Sequence, residues 1–207
     1  SLTPEQQEQY QVLADGLRHW NTKINVISRR DTGELEERHL LHSLSIAKLM
    51  PFPPQSSVID VGTGGGLPGL PLAIGFPQTR FLLVDSIGKK IRVVNELVRA
   101  TGLTNVETRQ VRAEKMDDRF DFVVSRAVTA FPKFYQWTRN LIKTGPDPSP
   151  QHMRGILYLK GGDLATELAG FRGRVQIEPV RQWFSEPFFE TKYVVYLPAR
   201  RKGNQTG

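Results

Sequence analysis

The chain has 207 residues, 39% of them hydrophobic and 24% charged, which suits one well-buried core in a soluble globular protein. It contains no cysteine, so a disulfide framework and a thiolate metal site are excluded. The formal net charge of +7 suits a polyanionic partner, and nucleic acid is the usual one.

Residues from Thr3 to about Leu49 predict helices. Thr3 is placed to cap the first and Pro4 to occupy its first position. Tyr10, Leu13, Leu17 and Trp20 then recur at helical spacing and read as core residues. A second helix is expected near Glu34 to Met50, carrying Leu35, Leu41, Leu44 and Ile46, and Pro51, Pro53 and Pro54 end it. From Ser56 the period changes. Seven short runs follow: SVIDV, RFLLVD, VETRQV, FDFVVS, GILYLK, RVQIEPV and KYVVYLP. Helical candidates separate the first five, which predicts βαβ units and a parallel sheet with helices on both faces. The chain is therefore read as a helical extension over 1–50, an α/β domain over 51–198 and a basic disordered tail over 199–207. Thr144 to His152 is expected to be a mobile loop. The polar start SLTPEQQEQYQ has no signal-peptide pattern and no apolar run approaches a membrane span. A cytoplasmic protein without a membrane partner is expected, acting as a monomer.

Val58 to Gly69, VIDVGTGGGLPG, is the most informative segment. A β-branched strand containing Asp60 meets five glycines, Gly62, Gly64, Gly65, Gly66 and Gly69. Leu67 and Pro68 lead into a helix whose first amides are expected to point at a ligand. Two cofactor classes use such a turn. Gly64, Gly66 and Gly69 fit G-x-G-x-x-G, with Asp85 about 20 residues on, as in dinucleotide enzymes. The spacing from Asp60 through Gly62, Gly64 and Gly66 instead resembles the first motif of class I S-adenosylmethionine-dependent methyltransferases. In that family the glycine turn packs on the methionyl and ribose parts of the cofactor, and the acid ending the second strand takes the ribose hydroxyls. The resemblance implies a Rossmann-like, seven-stranded sheet with the seventh strand antiparallel between the fifth and sixth. A Walker A loop is excluded because no G-K-[ST] follows.

Chemistry narrows the methyl acceptor. Methylating a pyrimidine carbon needs a cysteine nucleophile, which is absent. Methylating an exocyclic amine commonly uses N-P-P-Y after the fourth strand, where this chain has Ser125, Arg126 and Ala127. Guanine N7 carries a lone pair and no proton, so positioning can suffice. No general base or other catalytic residue is assigned. The four histidines are scattered and show no metal-ligand spacing.

Four clusters then resemble the bacterial 16S rRNA guanine-N7 methyltransferase family, also called glucose-inhibited division protein B. The helices give Trp20-Asn21 with Ile24-Asn25 and Arg38-His39-Leu40 before Ser43. Asp60 to Gly69 match almost throughout. The second strand gives Leu83-Val84-Asp85-Ser86, followed by Gly88-Lys89-Lys90. The later strands give Ser125-Arg126-Ala127 and Leu159-Lys160-Gly161. The resemblance implies S-adenosylmethionine as cofactor and 16S rRNA, within the small ribosomal subunit, as partner. It implies cofactor contacts at Gly62, Leu67, Asp85, Ala113, Glu114 and Arg126, to which Asp60 and Gly64 are added from the glycine motif. Arg112, Arg126 and Lys160 are implied at the RNA end of the pocket. Lys89 joins them because cations opening a helix oppose its dipole, a cost that suits a phosphate-facing role. The chain departs from the family at His42, where aspartate is general, and at Gly65, where proline or alanine is common. His39 and His42 read as packing or capping residues. Action on another RNA such as tRNA, or on a small anion, and a non-catalytic RNA-binding role stay open.

Overall fold

Strand runs such as VIDV and FLLVD, apolar at nearly every position, must be covered on both faces. The computed structural model describes residues 2–27, 33–147 and 153–199. The strands are β1 Ser57–Val61, β2 Arg80–Asp85, β3 Val106–Gln110, β4 Phe122–Arg126, β5 Gly155–Gly161, β6 Gln176–Pro179 and β7 Lys192–Pro198. They form one sheet in the order β3-β2-β1-β4-β5-β7-β6. The first five are mutually parallel, and β7 runs antiparallel to both β5 and β6. This is the topology that the resemblance implies, with β7 antiparallel between β5 and β6.

Alternate side chains feed two cores. Val58, Leu83, Val124 and Leu157 face one core, and Ile59, Val84, Val123 and Tyr158 face the other. The first core lies under α1 Pro4–Asn21, α3 Gly69–Gly75 and α4 Gly88–Thr101. The second lies under α5 Phe131–Thr138, where Phe134 stacks on Tyr158 at 4.5 Å.

The N-terminal segment is tied to this body by side chains reaching backbone carbonyls. A capping box of Thr3 and Gln6 starts α1. Gln6 donates to Ile74 O, Tyr10 to Pro71 O and Gln9 to Thr101 O. Asn21 then accepts from the amides of Val26 and Ile27, which brings that strip to the glycine turn. The second helix is not α-helical from Glu34. A π-helical stretch Glu36–Leu41 precedes α2 His42–Leu49. Pro68 sits at the cap of α3 rather than inside its first turn. Residues 148–152 of the expected loop and all of the expected tail except Ala199 lie outside the described residues.

At the amino ends of β1, β4 and β5, Asp121 joins three segments. It accepts from Ser57 N at 2.9 Å, Ser57 Oγ at 2.8 Å, Lys143 Nζ at 2.8 Å and Arg154 Nε at 2.8 Å.

Candidate functional site

In a doubly wound sheet the carboxyl ends of the parallel strands all reach one edge, and ligands bind there. Here that edge opens into a cleft of ≈ 1040 Å³. Its walls come from the glycine turn, the ends of β2 and β4, the turn Ala113–Lys115 after β3, the π-helical stretch and the start of β7.

The glycine turn owes its shape to left-handed backbone. Gly62 has φ +71° and Gly64 φ +59°, values that L side chains rarely adopt. The amides of Gly62 and Thr63 both donate to Val84 O, at 2.9 and 3.0 Å, so the turn crosses from β1 onto β2. A Cβ on Gly62 would lie 2.5 Å from Val128 Cγ2. At Gly65 an added methyl would meet Val26 Cβ at 3.1 Å and Leu17 Cδ2 at 3.2 Å. Glycine there lets the N-terminal strip approach the turn closely.

Asp85 ends β2 and lines the cleft, 7% exposed. Its Oδ2 accepts from Gly64 N at 3.1 Å and its Oδ1 from Ile87 N at 2.9 Å. Leu67, Ala113, Glu114 and Arg112 also line the cleft. Arg126, the last residue of β4, lines it too and donates to Arg38 O at 3.3 Å. Ala127 follows at φ +53°. The Tyr158 hydroxyl accepts from Val128 N and Thr129 N and donates to Thr129 O. One phenol thus fixes the turn after β4.

Two expected site residues lie outside the cleft, and a third lines it but is paired within the protein. Asp60 is fully buried and does not reach the cleft. Its Oδ2 accepts from Thr63 Oγ at 2.6 Å and from Gly69 N at 2.9 Å. It therefore ties the turn together from behind, and the first amide of α3 points at this carboxylate rather than at a ligand. Lys89 is exposed and lies outside the cleft. The helical rotation of one residue puts Lys90 there instead, 3.9 Å from Asp85 Oδ2. Lys160 does line the cleft, but its ammonium is 2.7 Å from Glu167 Oε1 and donates to Thr129 O at 3.3 Å. Its charge is compensated within the protein, and it holds the turn after β4.

The sequence reading also omits a wall. Arg38, His42, Phe188 and Lys192 all line the cleft. His42 is buried, edge-on to Phe188 at 5.6 Å and Phe189 at 6.2 Å. Burial, with the charges of Arg126, Lys192 and His39, holds its imidazole well below the usual histidine range. Arg38 pairs with Glu34 at 2.5 Å, so an aspartate at position 42 is not needed to hold it. Arg38 and His42 are singled out in the sequence only by family resemblance, and for Phe188 and Lys192 the signal is an aromatic and basic run before the last strand.

Asp60 offers a test that needs no ligand. Burial pushes its carboxyl up to about 7, against the hydrogen bonds from Thr63 and Gly69 and the charge of Arg126, with Asp85 adding to the rise. The folded state thus binds this proton more tightly than the unfolded chain does. That stabilisation is complete below the ordinary carboxylate range and is lost as pH rises through about 7. Relative to Asp60→Asn, the parent is expected to lose on the order of 4 kcal/mol of unfolding free energy across this window. Urea titrations at several pH values measure it, and parallel pH profiles for the two proteins would contradict the assignment.

Comparison with known proteins agrees with this geometry. Residues 6–192 match the family model described as rRNA small subunit methyltransferase G. The Ribosomal RNA small subunit methyltransferase G of Flavobacterium johnsoniae is 51% identical over 206 residues, 98% of this chain and 95% of that protein. The protein of the same name from Christiangramia forsetii is 48% identical over 203 residues, again 98% of this chain and 95% of that protein. Among solved structures, a SAM-dependent methyltransferase from Aquifex aeolicus superposes with a TM-score of 0.59 at 18% identity. It covers 84% of this chain and 100% of its own, and at that identity it supports the fold alone.

Proposed function

The chain belongs to the rRNA small subunit methyltransferase G family, and from that premise we propose that it transfers a methyl group from S-adenosylmethionine to N7 of a guanine in 16S rRNA. One observation carries the reading. A left-handed glycine turn, a strand-end carboxylate and a basic wall meet in a single cleft at the carboxyl edge of the sheet.

The residues fit this cofactor. At Gly62 a side chain would strike Val128, so the turn presents bare backbone. Each Asp85 oxygen accepts one amide and keeps capacity for a ribose hydroxyl. Ala113 and Glu114 lie beside it after β3. With Gly64, Leu67 and Arg126, these residues would hold S-adenosylmethionine, and Asp60 would act only through the turn it shapes. When bound, the cofactor supplies an electrophilic methyl group on a sulfonium. Guanine N7 has no proton to lose, so the protein's task is to orient the base. The turn from Ser125 to Thr129 suits that task. Ser125 Oγ is bonded to Val61 O at 2.7 Å, and Tyr158 and Lys160 hold the rest. Arg112 and Arg126 offer donors toward RNA.

The proposed substrate is 16S rRNA within the small ribosomal subunit, and the proposed compartment is the cytoplasm. The enzyme acts as a monomer in this reading. Among the described residues no helix is long and apolar enough to cross a membrane.

The test is transfer of labelled methyl groups to small-subunit particles from cells lacking the enzyme. A 7-methylguanosine has a weakened glycosidic bond, so mild reduction and aniline should cleave the product RNA at one guanosine. Mass spectrometry should find one added methyl per particle. A methyl on an exocyclic amine, a pyrimidine carbon or a ribose hydroxyl would overturn the mechanism. Transfer to N7 of tRNA would overturn the substrate alone. Cofactor binding without transfer to any RNA would support the non-catalytic RNA-binding reading instead.

A further inference from the structure

The lysines of the cleft differ in how their charge is balanced. Lys160 faces Glu167 at 2.7 Å, and Lys90 faces Asp85 at 3.9 Å. Lys192, which opens β7 and sits beside Gly161 at the end of β5, forms no ion pair with any carboxylate among the described residues. Its ammonium instead lies 4.7 Å from the Phe188 ring centroid and 3.5 Å from Thr191 Oγ. An aromatic face orients a cation without neutralising it. A carboxylate in the same place would cancel the charge. Beside it, His42 Nε2 is buried at the cleft wall with no hydrogen-bond partner among the described residues.

We propose that Lys192, aimed by Phe188, grips a backbone phosphate next to the target nucleotide, and so marks the RNA side of the cleft. Phe188 is the positioning residue. This rests on the methyltransferase reading above, and it moves the phosphate contact from Lys160 to Lys192. The location separates it from the cofactor residues of β2 and β3. Asp85, Ala113 and Glu114 come from the β2 and β3 end of the sheet, whereas Lys192 comes from β7, beyond β4 and β5.

The probe is the small-subunit particle from cells lacking the enzyme, with binding measured across a salt series and methyl transfer measured alongside. Failure of the parent to methylate these particles would count against the methyltransferase reading on which this assignment rests, whereas the salt slopes read the phosphate contact itself. With an active parent, Lys192→Gln is expected to bind S-adenosylmethionine normally and to bind the particle with a salt slope shallower by about 1, one phosphate contact fewer. Lys192→Arg should restore the slope. Phe188→Leu keeps the ammonium, so the slope should stay while KM for the particle rises about threefold to tenfold and kcat holds. An unchanged slope in Lys192→Gln would overturn the proposal. So would a loss of S-adenosylmethionine affinity in that variant, because it would assign Lys192 to the cofactor's carboxylate.

Discussion

Gly62→Val is expected to weaken S-adenosylmethionine binding at least about 100-fold while leaving a folded protein. Two effects add at this position. The backbone stands at φ +71°, where a β-branched residue is strained by about 1–2 kcal/mol or more. The new Cβ would also lie 2.5 Å from Val128 Cγ2, so the glycine turn and the turn after β4 cannot both keep their places. Both line the cleft. The loss should therefore show far more in cofactor affinity than in stability. Gly173→Ala separates the two effects. Gly173 has a matching φ of +71° with nothing within 4 Å of an added Cβ, so that variant should lose only the strain part of the stability and bind the cofactor normally. Calorimetry with both variants decides it. Near-parental affinity in Gly62→Val would mean that the cofactor does not lie on this turn.

The glycine turn was legible because its residues are contiguous and carry their constraint locally. The sheet was legible for a related reason. Strands covered on both faces, such as β1, β2 and β5, give nearly unbroken apolar runs, whereas the edge strands β3 and β6 are short, mostly polar runs that were counted with them, the antiparallel last one following from the family resemblance. The edges were less so. The run FDFVVS begins at Phe120, but β4 begins at Phe122. Phe120 makes an isolated bridge to Ile142, and Asp121 turns its side chain to Ser57.

Side-chain direction was the main thing hidden. Asp60 and Asp85 are the same residue near the ends of adjacent strands. Asp60 is last but one in β1 and points under α3. Asp85 is last in β2 and points into the cleft. A single step along α4 likewise exchanges Lys89 for Lys90. The wall of Arg38, His42, Phe188 and Lys192 was hidden for a different reason. Its members lie near opposite ends of the chain and meet only because β7 inserts beside β5 and brings its leading turn against the π-helical stretch. Lys160 shows the converse. Its place after an apolar strand was read correctly, but its partner Glu167 follows an irregular turn that carries no motif.

Asp121→Ala is expected to cost about 3–5 kcal/mol of stability and to leave cofactor affinity unchanged. The carboxylate is 3% exposed and serves Ser57, Lys143 and Arg154 at once. Removing it strands two cations, of which Arg154 is only 12% exposed in its side chain. The melting temperature should fall by roughly 10 °C for a chain of this size. The network sits at the amino ends of β1, β4 and β5, the edge away from the cleft, which is why binding should survive. Its pH signature has a definite sign. Burial by itself would raise the carboxyl, but hydrogen bonds from Lys143, Arg154 and Ser57 outweigh it and hold the group down at about 2. A depressed folded-state value means that the stabilisation is complete above the ordinary carboxylate range and is lost as pH falls through about 2. Roughly 2 kcal/mol of the parent's stability should disappear over that window, and Asp121→Asn should not show that loss. Denaturation at neutral and acid pH measures both quantities. If Asp121→Ala melted within a degree or two of the parent, the strand ends would be held by their backbone ladder and the ion network would contribute nothing. The stability of the sheet could then be altered at this edge without touching the cleft, but not through Asp121.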